Sequence, residues 1–195
     1  MTPFTRADTS ILGQWWWTVD RWSLAAIAAL MAFGALLAAA SSPAVAERIG
    51  LDEFYFIKRH FMLLPVAIAM ILAVSAMTPT QVRRMAVIAF LGCLVLLAAT
   101  LLFGTEIKGA RRWLSIAGFS LQATEFVKPM FAVVAAWLFS EAAHDPRFPG
   151  RLICTGLFAA VIALVIAQPD LGQAVVITSV WMAQFFLAGL PMWLV

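Results

Sequence analysis

Long apolar stretches alternate with short polar ones along most of the chain. Each apolar stretch extends over roughly 18 to 22 residues, which is the length of helix that crosses the hydrocarbon core of a bilayer. The short alternating segments of a transmembrane barrel do not occur in the sequence. The pattern predicts six complete membrane-spanning helices at about residues 22–40, 61–77, 85–103, 122–142, 152–167 and 173–188, with a seventh beginning at Pro191.

Prolines are predicted to set several helix ends. The first span should end at the Ser-Ser-Pro of residues 41–43, because the residue before a proline avoids the helical conformation. Pro65 should either kink the second span or lie in its first turn, and Thr78-Pro79 should end that span. The fourth span is placed by length instead. Its clean apolar part, residues 130–139, is too short to cross alone, so the helix should begin near Gln122.

The N-terminal segment, residues 1–21, is predicted to lie outside the membrane-spanning domain at residues 22–195. Residues 1–13 are polar without helical periodicity, which predicts a mobile tail. Tryptophans then surround the start of the first span, and indole rings prefer the headgroup level of a bilayer. We therefore expect a membrane-surface anchor, with a sugar-stacking platform as the alternative, at Trp15, Trp16, Trp17 and Trp22.

Composition agrees with an integral membrane protein. Hydrophobic residues make up 64% of the chain and charged residues only 12%. A net charge of +3 without a Lys/Arg-rich tract argues against nucleic acid as a partner. Cys93 and Cys154 lie in apolar stretches and predict neither a disulfide nor metal ligands. His60 and His144 lack the neighbouring ligands that a zinc site requires.

Positive charge is divided almost equally between the two sides that alternating spans define. The positive-inside rule predicts a clear excess on the cytoplasmic side, so the cations of the other side need an explanation. An anionic ligand is one explanation, and neutralisation by nearby acidic residues in solvated loops is the other. These cations are Arg48, Lys58, Arg59, Lys108, Arg111, Arg112 and Lys128.

Two groups of residues on that side could form a binding site. Arg111, Arg112 and Trp113 combine two guanidinium groups, which match phosphate oxygens in bidentate geometry, with an indole that could stack on a sugar or an isoprenoid. Contact with ordinary lipid phosphate is the alternative. A spacing of three places a second group on one helical face, as either a cavity wall or an interhelical clasp: Gln122, Glu125 and Lys128.

Asp170 follows Pro169 and precedes the sixth span. At that position its carboxylate could cap the helix by accepting backbone N–H bonds. It could instead face the same cavity, because the fifth span ends on the side where the fourth begins. No nucleophile elbow, P-loop, dinucleotide fingerprint or metalloprotease helix is present in the sequence.

Three motifs together resemble one known family. GARRWL at 109–114, the segment 122–128 and QPDLG at 168–172 are similar to the SEDS family (shape, elongation, division, sporulation) of bacterial membrane proteins, in particular its division-type members. FYFIKR at 54–59 and FLAG at 186–189 support the resemblance, and EIKGA at 106–110 is similar to alphaproteobacterial sequences. It covers nearly the whole chain from about Trp15.

The resemblance implies an all-α polytopic membrane protein with a ten-span fold and cytoplasmic termini, of which this chain would be the front part. Segments at about 44–60, 104–122 and 168–172 would be periplasmic. The implied activity is that of an inner-membrane peptidoglycan glycosyltransferase at the division septum. It would polymerise lipid II, an undecaprenyl-diphosphate-linked disaccharide pentapeptide, together with a class B penicillin-binding protein transpeptidase and other divisome proteins.

The implied substrate-binding residues are Arg59, Arg111, Arg112, Trp113, Gln122, Glu125, Lys128 and Asp170. The family's proposed catalytic aspartate is expected beyond Val195, so this chain should contain no catalytic residue and be inactive alone. No particular cofactor is assigned, and a divalent cation could share the charge of the diphosphate. A lipid II transporter and a scaffold that recruits the transpeptidase are the alternative functions.

One departure from the family concerns the start of the fourth span. The family usually has Gln-Pro-Ala-Glu-Leu-Thr-Lys or a close variant, whereas this chain has Gln-Ala-Thr-Glu-Phe-Val-Lys at 122–128. Without the proline, the first turn of this helix is less sharply defined by its sequence.

Overall fold

The computed structural model describes residues 10–107, 109–116 and 119–189. The chain forms two compact units, Met1–Thr78 and Pro79–Val195. The described part of the first unit contains α1 (Ile11–Thr18), α2 (Arg21–Arg48) and α3 (Tyr55–Ser75). The described part of the second contains α4 (Pro79–Phe103), β1 (Thr105–Ile107), β2 (Ala110–Ile116), β3 (Phe119–Leu121), α5 (Ala123–His144), α6 (Gly150–Ala167) and α7 (Leu171–Leu187).

The predicted polytopic helical fold is confirmed. Within the described residues, the five helices α2 to α6 are long and apolar enough to cross a membrane. The helix α7 has 17 residues and lies at the short end of the range for a spanning helix. Each of the six predicted spans therefore corresponds to one helix. The expected beginning of a seventh at Pro191 lies outside the described residues.

The prediction that the first span ends before Pro43 is wrong. The helix α2 continues through Pro43 to Arg48. A proline removes one backbone hydrogen bond, and membrane helices tolerate this loss because neighbouring groups compensate for it. Continuing the helix also buries Ser42 and Ala46, which favours extension. Similarly, α3 begins at Tyr55, well before residue 61, so Pro65 lies in its interior and not in its first turn.

The prediction that a mobile tail extends to residue 13 is wrong, because α1 begins at Ile11. Ser10 caps α1 by accepting a hydrogen bond from the backbone N–H of Gly13 over 3.1 Å, while residues 1–9 lie outside the described range. The indole Nε1 of Trp15 donates to the Ser75 hydroxyl over 2.8 Å. Part of the tryptophan cluster therefore packs against the end of α3 within the first unit. Its membrane anchorage stays a prediction.

The core of the second unit is built around α5. Phe131 of α5 is 1% exposed, and its ring centroid lies 5.8 Å from that of Phe90 in α4 and 6.4 Å from that of Phe158 in α6. Phe158 in turn stacks on Trp181 of α7, with 4.2 Å between the centroids. Aromatic rings from four helices therefore form one continuous cluster, which positions the polar start of α5 relative to its neighbours.

A small antiparallel sheet joins α4 to α5, where the sequence predicted only a charged loop. Its strand order is β1-β2-β3, with Glu106 opposite Arg111 and Ser115 opposite Ser120. Ala110 and Leu114 of β2 are buried, while Arg111 and Trp113 are exposed. The strand thus has one face toward the helices of the second unit and one away from them.

Gly104 connects α4 to this sheet in a confined space. A Cβ atom there would lie 2.3 Å from the backbone oxygen of Thr100 and 3.3 Å from the Cβ of Arg111. We expect Gly104→Ala to lower the free energy of unfolding by about 1–3 kcal/mol, because the junction must shift. Thermal unfolding in detergent measures this loss. Gly92→Ala in α4 is the control, since nothing lies within 4 Å of its Cβ, and equal losses for both variants would contradict the prediction.

Candidate binding site at the start of α5 and α7

The two arginines of β2 point to opposite faces of the sheet. Successive side chains alternate along a strand, so Arg111 lies on the exposed face and Arg112 on the face toward the helices. The sequence predicts one phosphate-binding site for both guanidinium groups, with contact to ordinary lipid phosphate as the alternative. The structure does not bring them together, and each makes different contacts.

Arg112 binds the turn between α6 and α7, residues 168–170. Its Nε donates to the backbone oxygen of Gln168 over 3.3 Å, and Nη2 donates to the backbone oxygen of Pro169. Its Nη1 lies 3.8 Å from a carboxylate oxygen of Asp170, whose side chain is 8% exposed. One guanidinium group therefore joins the sheet to the α6–α7 turn and neutralises a nearly buried carboxylate.

Arg111 and Trp113 lie on the outward face. The Arg111 guanidinium is 3.4 Å from a carboxylate oxygen of Glu106, its partner on β1, and both side chains are about half exposed. Trp113 is 37% exposed. The sheet separates these two side chains from Arg112.

Asp170 occupies the N-cap position of α7 but makes no side-chain capping bond. Its carboxylate instead accepts a hydrogen bond from Nε2 of Gln122 over 3.1 Å. Of the two predicted roles for Asp170, the capping role is wrong, and its carboxylate connects the start of α7 to the residue before α5. Gln168 is 1% exposed and donates to the backbone oxygen of Leu97 over 3.0 Å, which attaches the same turn to α4.

The predicted Glu125–Lys128 pair is present in the first turns of α5. The Lys128 Nζ lies 2.8 Å from a Glu125 carboxylate oxygen. The other Glu125 oxygen accepts from Nε2 of Gln173 in α7 over 2.6 Å. The sequence analysis missed Gln173, because a single glutamine at the start of an apolar helix carries no distinctive signal. Two hydrogen bonds, one from Gln122 and one from Gln173, thus connect the starts of α5 and α7.

Two helix N-termini converge at this cluster. Neither α5 nor α7 has a side-chain cap at its N-terminus, and both present the positive end of a helix dipole. The formal charges around them balance in pairs, Arg112 with Asp170 and Lys128 with Glu125. The site therefore combines two positive helix ends with two cations, two carboxylates and two amides. Within the described residues, no group of three His, Cys, Asp or Glu could hold a metal ion.

Arg59 belongs to the first unit. It lies in α3 and lines a cavity of about 400 Å³ between α2 and α3. The preceding cation, Lys58, is exposed and forms a 2.8 Å ion pair with Asp52. The hydrogen bond from Lys58 lowers the pKa of the Asp52 carboxyl group. Among the predicted binding residues, Arg59 thus lines a cavity of the first unit.

Comparison with known proteins identifies the family. Residues 21–195 match the FtsW/RodA/SpoVE family of cell cycle proteins. The chain belongs to this family. It is 42% identical over 189 residues to the probable peptidoglycan glycosyltransferase FtsW of Caulobacter vibrioides, covering 96% of this chain and 48% of that protein. It is 34% identical over 168 residues to the protein of the same name from Acinetobacter baylyi, covering 85% of this chain and 42% of that protein.

The chain spans about half the length of these relatives. Solved structures agree with the assignment. Thermus thermophilus rod shape determining protein RodA aligns with a TM-score of 0.71 and 26% identity, over 90% of this chain and 56% of RodA. A chain of a peptidoglycan synthase complex, described as coordinating polymerization and crosslinking, aligns with a TM-score of 0.72 and 25% identity, over 92% of this chain and 51% of that chain. The resemblance to the SEDS family is confirmed.

Proposed function

We propose that this chain forms part of a peptidoglycan glycosyltransferase that polymerises lipid II into glycan strands during cell division. The names of the FtsW relatives support the reaction class. The observation that carries the proposal for this chain is the convergence of two uncapped helix N-termini with Arg112 and Lys128. Such a site attracts anions, and the lipid II substrate bears a diphosphate.

The remaining groups of the cluster fit the sugar part of that substrate. Carboxylates and primary amides exchange hydrogen bonds with hydroxyl groups, and the cluster contains Glu125, Asp170, Gln122 and Gln173. Two carboxylates repel any phosphate group, and inorganic phosphate has no sugar hydroxyl groups that could donate to them. The mixture of charges therefore favours a glycosyl diphosphate over a simple anion.

The proposed contribution of these residues is binding and charge stabilisation. Negative charge develops on the diphosphate as it leaves the sugar, and positioned cations and helix N-termini stabilise that charge. Asp170 is held by Arg112 and Gln122, so we assign it to positioning and not to attack on the sugar. No catalytic residue is proposed within this chain. A divalent cation bound together with the diphosphate would supply further positive charge.

We also propose a class B penicillin-binding protein transpeptidase and other divisome proteins as partners, since the similar synthase complex couples polymerization to crosslinking. The proposed location is the inner membrane at the division septum, with a cytoplasmic N-terminus. The segments that hold the site would then face the periplasm, where glycan strands are assembled. Fluorescent fusions and a cysteine-accessibility assay at exposed Glu106 test the location and the side.

Lys128→Gln tests the site directly. The substitution removes the ammonium group but keeps a long polar side chain, and we expect lipid II polymerisation to fall about 100-fold, as for loss of one charge-stabilising group. The assay uses the complete product of the gene that encodes this chain, with glycan strands separated on a gel. Lys58→Gln is the matched control, because Lys58 is 72% exposed in the first unit, and its activity should stay near that of the unmodified protein. Equal activity of Lys128→Gln and Lys58→Gln would count against the site.

A proteoliposome assay separates polymerisation from transport. Lipid II translocation and glycan formation are measured on the same preparation. Polymer without translocation supports the proposal. Translocation without polymer would indicate a transport function instead. Loss of both activities, with the transpeptidase still bound, would indicate a scaffold.

A further inference from the structure

A polar cavity and an apolar groove follow one another along the contact between α2 and α3. The cavity has a volume of about 400 Å³ and is lined on α2 by Ala38, Ser41, Ser42 and Val45, and on α3 by Phe56, Arg59, His60 and Leu63. The groove has a volume of about 410 Å³ and is lined only by apolar side chains, from Leu24 to Ala32 of α2 and from Leu64 to Leu72 of α3.

The two spaces lie on one continuous face of α2. Leu24 and Met31 of the groove and Ala38 and Val45 of the cavity recur every seventh residue, which keeps them on nearly the same side of a helix. Along α2, Ala32 and Ala38 are separated by only about 9 Å at the helical rise per residue. This distance is less than half of the hydrocarbon core of about 30 Å, so a lipid chain that begins at the cavity reaches the groove.

Two nitrogen-bearing side chains of α3, Arg59 and His60, line the cavity. Arg59, on the same stretch of α3, offers several N–H donors in a planar fork, so it can bind a phosphate oxygen in addition to the partner that it already has.

The positive charge of the cavity matches one phosphodiester. Arg59 is the only Lys or Arg among the described residues that line it, and the neighbouring Lys58 is paired with Asp52. A diphosphate carries more negative charge than one guanidinium balances. A headgroup with its own ammonium would place a second cation near Arg59, which is unfavourable. The chemistry therefore favours a headgroup with a single phosphodiester and no cation.

We propose that the α2–α3 contact binds an anionic glycerophospholipid, with the phosphodiester beside Arg59 and His60 and one acyl chain in the apolar groove. This ligand differs from the glycosyl diphosphate proposed for the second unit. Basic pockets between membrane helices bind anionic headgroups in this way. The lipid fills the space between the two helices and places an anion beside the Arg59 guanidinium.

The experiment measures lipid binding to the purified, delipidated complete gene product by native mass spectrometry. Phosphatidylglycerol is the probe, and we expect Arg59→Gln to weaken its binding about 10-fold through loss of a charge-assisted hydrogen bond. Lys58→Gln is the matched control, because it removes the adjacent cation outside the cavity, and its affinity should stay unchanged. A loss of equal size in both variants would show that binding depends on general positive charge and would overturn the site.

The groove is tested independently of charge. Ala28 lines the groove and Ala26 does not, so Ala28→Phe should displace the acyl chain and weaken binding about 10-fold while Ala26→Phe should not. The two phenylalanine variants also test the proposed lipid site if Arg59→Gln does not fold. Equal binding by both phenylalanine variants would contradict an acyl chain in the groove.

Competing lipids test the choice of headgroup. We expect phosphatidylglycerol to bind at least about 10-fold more tightly than phosphatidylcholine, whose headgroup carries a cation. Equal binding of the two would overturn the proposed role of charge. Displacement of phosphatidylglycerol by an equimolar amount of undecaprenyl diphosphate would overturn the assignment to a glycerophospholipid and identify an isoprenoid site instead.

Discussion

Arg112→Ala is expected to lower the free energy of unfolding of the second unit by about 2–4 kcal/mol. The substitution removes the donors to the backbone oxygens of Gln168 and Pro169 and leaves the carboxylate of Asp170 nearly buried without its cation. The loss lies below that of a fully buried ion pair, because the Arg112 side chain is 38% exposed and partly screened by solvent. The midpoint of thermal unfolding in detergent measures the change.

Arg111→Ala is the matched stability control. The neighbouring arginine has the same chemistry, but its 3.4 Å ion pair with Glu106 is exposed and should contribute less than about 1 kcal/mol. In the complete gene product, Arg112→Ala should also abolish lipid II polymerisation, because the sheet and the start of α7 lose their connection. A stability loss no larger than that of Arg111→Ala would show that the contacts of Arg112 do not hold the turn. Unchanged polymerisation would remove Arg112 from the proposed site.

Phe131→Ala is expected to cost about 2–4 kcal/mol of stability in the second unit. Phe131 packs between rings of α4 and α6, and its removal leaves a cavity that those helices cannot fill without moving. In a membrane protein most of this cost comes from lost packing, because lipid chains are as apolar as the protein core. Thermal unfolding in detergent, read by tryptophan fluorescence, reports the loss.

Phe126→Ala is the control for this prediction. Both phenylalanines lie on α5, but Phe126 is 46% exposed and its truncation opens no enclosed cavity. We therefore expect a change of less than about 1 kcal/mol for Phe126→Ala. Comparable losses for the two variants would mean that the aromatic cluster does not hold the second unit together.

The membrane spans could be predicted from the sequence because their length is dictated by the bilayer. Helix ends were less predictable. Pro43 and Pro65 both lie inside helices, since membrane helices tolerate the loss of one backbone donor. Local propensity opposes helix continuation at these positions but does not decide where the helices end.

The sheet could not be predicted because its alternation is hidden. On β2 the inward positions hold alanine, arginine and leucine, and the outward positions hold arginine, tryptophan and serine, so polar and apolar residues occur on both faces. The inward arginine is compensated by carbonyl oxygens from the distant α6–α7 turn, which no local pattern reveals.

Some polar contacts of the site can be predicted from the sequence, and others cannot. The Glu125–Lys128 pair spans less than one helical turn, and its spacing predicts it. The bonds from Gln122 to Asp170 and from Gln173 to Glu125 each join residues 48 positions apart, and they depend on how α5 and α7 pack. The sequence therefore predicts most members of the candidate site but not the connections among them.

The alternation along β2 also limits how this segment can change during evolution. A replacement at Arg111 or Trp113 alters one outward position and leaves the inward positions intact. Insertion or deletion of a single residue between Gly109 and Arg112 would exchange the two faces, because the side-chain period of a strand is two. The indole of Trp113 would then face the helices, and the guanidinium of Arg112 would leave the α6–α7 turn. Related sequences should therefore vary at the outward positions of this strand but keep its length, with gaps confined to the turns that join the strands.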